Sequence, residues 1–215
     1  MDYLSFSMCW QKTTLPLVAI LRGLTPAEAP AVAKGLLAEG FTWLEVPLNS
    51  PDALTSIRLL RKQIGCRGYV GAGTVLAVDQ VDAVADAGGQ IIISPNMNVE
   101  VIRRSRERGL ISMPGVITPS EAFTALQTGA SALKLFPAEF VEPNTLKAWR
   151  AVLPTEVVCL PVGGIQPDAM QMRAWRSAGA QGFGLGGGLY RHSDDAEKVQ
   201  QKAREYREAW QSSDL

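Results

Sequence analysis

The chain has 215 residues, of which 47% are hydrophobic and 20% charged; 21 basic and 21 acidic side chains leave no formal net charge. That balance suits a globular core. It gives no basic surplus for nucleic acid, no acidic tail for disorder and no apolar run long enough to span a membrane. Cys9, Cys66, Cys159 and the single His192 are too few and too scattered for a metal-ligand pattern or a disulfide framework, which points to a reducing cytoplasm and no metal.

Residues 1–14 lack the basic segment and apolar core of a signal peptide. They read as an N-terminal extension whose first residues are poorly ordered, with Met8 as an alternative start. From residue 15 a beat sets in. Eight short apolar runs (15–22, 41–48, 68–75, 90–95, 110–116, 130–137, 157–163 and 182–187) alternate with amphipathic stretches. The period is about 25 residues, the size of a βα unit. Helical spacing shows in Ala31, Val32, Leu36 and Leu37, and again in Val81, Ala83, Val84 and Ala87. Thr25-Pro26, Ser50-Pro51, Thr118-Pro119 and the weaker Gln166-Pro167 read as helix starts, because the missing N–H of proline costs nothing in a first turn. Gly40, Gly65, Gly88, Gly109, Gly129 and Gly179 read as helix ends. A long polar helix covers 194–211 within a C-terminal helical segment, 191–215, and its charges read as a solvated face.

Near-continuous apolar strands alternating with helices argue for a parallel sheet covered by helices, and eight of them close a (β/α)8 TIM barrel. A doubly wound open sheet is the alternative. It favours a G-x-G-x-x-G turn after the first strand, and Arg22-Gly23-Leu24-Thr25 lacks one. No linker or low-complexity segment divides the chain, so 1–215 reads as one domain.

In such a barrel, function gathers at the C-terminal ends of the strands. In the sixth run Leu133 and Leu135 take one face, and Ala132, Lys134 and Phe136 the other. In the second, Leu44, Val46 and Leu48 face the helices, so Trp43, Glu45 and Pro47 point inward. A buried ammonium and a buried carboxylate are each costly unless paired or neutral. Two readings follow: a structural Lys134–Glu45 ion pair, or a lysine nucleophile beside a carboxyl acid/base. Gly163-Gly164 and Gly186-Gly187-Gly188 fall on the loops after strands seven and eight, where backbone N–H groups can hold phosphate; ordinary turn glycines are the alternative. Arg22, on strand one beside strand eight, completes a phosphate clamp or is a surface arginine. Thr74, after Gly71-Ala72-Gly73, holds a carboxylate or caps the next helix. Asn49 and Pro95 close strands two and four, Trp43 and Phe136 pack beside the reactive pair, Cys159 is a small core residue and His192 has no role.

Several segments in order resemble one family: Leu21-Arg22-Gly23, Leu44-Glu45-Val46-Pro47-Leu48-Asn49-Ser50-Pro51, Gly71-Ala72-Gly73-Thr74-Val75, Ile93-Ser94-Pro95, Leu133-Lys134-Leu135-Phe136-Pro137-Ala138 and Val162-Gly163-Gly164-Ile165. From about residue 15 to 190 the chain is similar to the 2-keto-3-deoxy-6-phosphogluconate aldolases and their galactonate counterparts. The resemblance implies a class I aldolase, a homotrimer, and no metal or organic cofactor. It implies Lys134 as the Schiff-base lysine and Glu45 as the acid/base. Thr74 would hold the pyruvoyl carboxylate, and Arg22, Gly163, Gly164, Gly186 and Gly187 the phosphate. Asn49 would read the C4–C5 hydroxyls, with Pro95 and Phe136 also at the substrate.

The segment Pro47-Leu48-Asn49-Ser50-Pro51 is more similar to the galactonate branch, which implies cleavage of 2-dehydro-3-deoxy-6-phosphogalactonate to pyruvate and D-glyceraldehyde 3-phosphate. The gluconate substrate is the alternative. Beyond the family stand a phosphate-binding barrel isomerase or synthase without covalent chemistry, and a non-catalytic sugar-phosphate-binding barrel. One departure is visible: relatives often place a serine where this chain has Gly187.

Overall fold

The computed structural model describes residues 1–214. Each apolar run contains a strand, and every pairing is parallel. The strands are β1 (Leu17–Ile20), β2 (Trp43–Pro47), β3 (Tyr69–Gly73), β4 (Ile91–Ile93), β5 (Ile111–Met113), β6 (Gly115–Val116), β7 (Leu133–Leu135), β8 (Cys159–Pro161) and β9 (Phe183–Leu185). The fifth run holds two segments, β5 and β6, because Pro114 between them has no N–H to give the ladder. Its carbonyl still accepts from the Lys134 N–H at 3.0 Å.

The strands lie in the order β5-β4-β3-β2-β1-β9, with a second sheet β6-β7-β8. First and last strands are neighbours, and Val162, just past β8, bridges Gly184 of β9. The result is a curled parallel α/β sheet.

Among the described residues eight α-helices cover the outside: α2 (Ala29–Ala38), α3 (Ala53–Ile64), α4 (Val78–Asp86), α5 (Val99–Glu107), α6 (Pro119–Thr128), α7 (Pro143–Arg150), α8 (Ala169–Ser177) and α9 (Ala196–Ser212). All six expected closing glycines have positive φ. The expected helix starts fare less well. Thr118-Pro119 opens α6 in a capping box with Glu121. The other three helices begin later, after Glu28, Asp52 and Asp168, of which only Asp168 accepts capping bonds from the first turn. Thr25 instead makes a local turn with Glu28, and the Ser50 hydroxyl accepts from the Gly23 N–H at 2.9 Å. A cap-plus-proline pair marks a turn, and the turn need not propagate at once.

Strand alternation splits the core in two. Leu44, Val46, Leu133 and Leu135 pack against the helices, whereas Val18, Trp43, Ile93, Met113, Ala132 and Leu160 fill the interior. The N-terminal extension is not poorly ordered: residues Tyr3–Trp10 form α1, capped by Asp2. Phe6 and Trp10, one turn apart, bury themselves against the interior, with ring centroids 5.7 and 4.9 Å from Trp43. Trp10 also donates to the Gln181 carbonyl at 2.8 Å. The helix thus plugs the end of the sheet where the strands begin.

The charges of α9 are not simply a solvated face. Gln200, Arg204 and Arg207 converge on the buried carboxylate of Glu39 at the end of α2, and Lys198 and Lys202 on buried Asp194. Tyr206 donates to the Ile165 carbonyl at 2.8 Å, tying α9 to the loop after β8. Among the described residues no helix is long and apolar enough to cross a membrane.

Candidate active site

Lys134 sits mid-β7 with only 8% of its surface exposed, on the inward face that its leucine neighbours leave free. Its Nζ lies 4.4 Å from the centroid of the Phe136 ring, within cation–π reach. Glu45 enters the same space from β2, 2% exposed, with Oε2 buried and unpartnered. The two charges do not close an ion pair within 4.0 Å. The purely structural pairing is therefore not what the fold builds.

Burial dominates both titrations. It pushes the Glu45 carboxyl up to about 7, against the opposing pull of Lys134 and Arg22. Burial also lowers the Lys134 ammonium, Arg22 acting in the same direction and Glu45 against it. An amine that loses its proton readily is a nucleophile, and a carboxyl near 7 can take or give a proton at neutral pH.

Both side chains line one open cavity of about 590 Å³ at the C-terminal ends of the strands. Arg22, Thr74, Pro95 and Phe136 line it as well, and so do Gly163, Gly164, Gly186 and Gly187. Asn49 does not. It accepts from Arg22 Nη1 at 2.6 Å, while Nη2 of the same guanidinium reaches Thr74 Oγ1 at 3.4 Å. The Arg22 fork is thus engaged on the β2–β3 side of the mouth rather than completing a clamp with the glycine loops. Thr74 does not cap α4, whose cap position is Ala77. It holds a left-handed backbone, φ 55°, an uncommon conformation for a β-branched residue.

The two glycine loops differ. The N–H groups of Gly164, Gly187 and Gly188 donate to no backbone carbonyl among the described residues. A Cβ at Gly164 would meet Glu139 Cγ at 2.6 Å, and one at Gly163 would meet Glu139 Oε2 at 3.1 Å. At Gly186 and Gly187 a Cβ would meet nothing within 4 Å. Among the polar cavity residues, sequence reasoning did not place Glu139, Gln166, Tyr190 and Arg191 at the site. Each follows a flagged strand by only a few positions, and that proximity was the available signal. Among the described residues no cluster of three His, Cys, Asp or Glu side chains is placed to hold a metal ion.

The family model described as "Aldolase: KDPG and KHG aldolase" matches residues 10–202. The 2-dehydro-3-deoxy-6-phosphogalactonate aldolase of Escherichia coli (strain K12) is 46% identical over 208 residues, 95% of this chain and 100% of that protein. A KHG/KDPG aldolase of the same organism is 34% identical over 157 residues, 72% of each. A solved structure described as "Native KDPGal structure" superposes with a TM-score of 0.90 at 44% identity, covering 94% of this chain and 97% of that one.

Proposed function

The chain belongs to the KDPG and KHG aldolase family, and on that premise we propose that it is a class I aldolase, a carbon–carbon lyase, cleaving 2-dehydro-3-deoxy-6-phosphogalactonate to pyruvate and D-glyceraldehyde 3-phosphate. The observation that carries the reading is the pair Lys134 and Glu45, both buried, both driven toward neutrality and facing one cavity. The choice of galactonate rests on the 46% identical relative of that name, against 34% for the KHG/KDPG aldolase. The two neighbouring sheets, joined at Pro114 and at the Val162–Gly184 bridge, support one closed (β/α)8 barrel formed by a single domain. A homotrimer and a cytoplasmic setting complete the proposal; the three free cysteines suit the latter.

Lys134 attacks the C2 ketone as the neutral amine, and loss of water gives an iminium. Glu45, ionised, takes the proton of the C4 hydroxyl, directly or through one water. The C3–C4 bond breaks, its electrons enter the iminium, and the aldehyde product leaves. The resulting enamine is protonated at C3, and hydrolysis frees pyruvate and restores the lysine. Thr74 and Arg22, held together at the β2–β3 side, bind the pyruvoyl carboxylate. Asn49 acts by fixing Arg22, and Pro95 and Phe136 wall the cavity. The open N–H groups of the loop after β9 receive the phosphate, and Gly163 and Gly164 after β8, under Glu139, wall that part of the cavity.

The test has two arms. Borohydride reduction in the presence of pyruvate should leave a stable adduct on Lys134 that Lys134→Arg abolishes together with activity; no adduct sinks the covalent mechanism. Side-by-side cleavage of the phosphogalactonate and phosphogluconate substrates decides the branch. A higher kcat/KM for the gluconate would move the chain to the other branch.

A further inference from the structure

We propose that Arg191, on the loop after β9, is the residue that selects the phosphorylated substrate. The inference rests on the aldolase reading above. It concerns which end of the cavity receives the phosphate and through which cation.

Arg191 lines the same cavity as Lys134. Its Nε donates to the Gly187 carbonyl at 3.0 Å, which fixes the guanidinium to the glycine loop. Among the described residues that is its only side-chain hydrogen bond, so both terminal nitrogens stay available. A guanidinium tethered by one N–H and free at the others is suited to a phosphate oxygen pair.

The loop beneath it is unspent. Gly187 and Gly188 offer N–H groups that donate to no carbonyl, and the faces of Gly186 and Gly187 are open. Backbone donors and a cation therefore converge on one patch.

The competing locations are weaker. Arg22 already holds Asn49 and Thr74 on another side of the mouth. The glycines after β8 lie under the Glu139 side chain, whose carboxylate would repel a phosphate at close range. With no hydroxyl at position 187, Arg191 is the cationic side chain of that loop that lines the cavity, and its charge adds strength to the backbone donors.

The decisive measurement is the ratio of kcat/KM for the phosphorylated keto-deoxy acid to that for its dephosphorylated counterpart. Arg191→Gln keeps a donor for the Gly187 carbonyl and removes the charge. The ratio should fall roughly ten- to hundredfold, with Arg191→Lys in between. An unchanged ratio overturns the proposal, as does an equal loss on both substrates, which marks a structural role. Inorganic phosphate supplies a readout that needs no turnover. Its ³¹P line should broaden with the unsubstituted protein and much less with Arg191→Gln; equal broadening overturns the assignment. If the unsubstituted protein releases no pyruvate from either acid, the aldolase reading fails, and the phosphate arm still decides Arg191.

Discussion

The carboxylate of Glu45 lies against the backbone of Gly73, in the space any side chain at 73 would need. The neighbouring strands β2 and β3 are in register there, Pro47 opposite Gly73 and Glu45 opposite Gly71. A glycine on β3 is what lets an acid on β2 turn into the cavity. Gly73→Ala should displace Glu45 and overpack the site. Urea unfolding should report a loss of about 1–3 kcal/mol. Pyruvate release by the folded fraction should fall further than that loss explains; a normal rate would detach Gly73 from the site.

Glu45→Gln should slow turnover by roughly 10²–10⁴-fold with the fold intact. The pH dependence has a definite sign. The Glu45 carboxyl is raised from 4.5 to about 7 in the folded protein, so between those values the native state holds a proton that the unfolded chain has released. Its contribution to stability is fully present below 4.5 and is lost as pH rises through 7. Melting curves of the parent should therefore weaken relative to Glu45→Gln across that window, by something on the order of 3 kcal/mol, and run parallel above it. The parent's rate should rise through the same window as the base ionises. A flat difference in stability would show that Glu45 is not held near 7.

Thr74 is strained, with φ 55°, at a position where its hydroxyl meets Arg22. Thr74→Gly should raise stability by about 1 kcal/mol while increasing the KM for pyruvate adduct formation. Thr74→Ala should weaken pyruvate without the gain in stability. If glycine stabilises and pyruvate affinity is unchanged, the strain serves something other than carboxylate binding.

Position 187 has room for a side chain and is not among the positive-φ glycines. Gly187→Ser should restore the hydroxyl that relatives often carry. The expected result is a lower KM for the phosphorylated substrate, by about three- to tenfold, with kcat little changed. A raised KM would mean that the open face is needed for the ligand itself.

The plug helix is testable by truncation of one ring. Trp10→Ala removes the contact with Trp43 and the bond to the Gln181 carbonyl. It should cost about 3–5 kcal/mol in denaturant unfolding. The KM of the surviving native fraction should be unaffected, because α1 sits at the opposite end from the cavity. A loss below 1 kcal/mol would make α1 an adornment rather than part of the core.

Much is legible in the sequence because it depends on neighbours in the chain. The two-residue alternation in 130–137 and 41–48 is enough to turn Lys134 and Glu45 inward once their leucines and valine face the helices. Closing glycines are legible for the same reason, since only the local φ matters, and all six were found where expected. The helix α1 was within reach too: Asp2, Phe6 and Trp10 are a cap and two rings on one face, obscured by the other apolar residues between them. Tertiary structure alone decided how residues far apart in the chain meet. It separated Lys134 from Glu45 beyond ion-pair reach, turned Arg22 toward Asn49 and Thr74, and laid Glu139 over one glycine loop while leaving Arg191 beside the other. Local periodicity sets which face a side chain takes; the few ångströms between side chains on different strands are set by sheet register and packing, and no short stretch of sequence carries those.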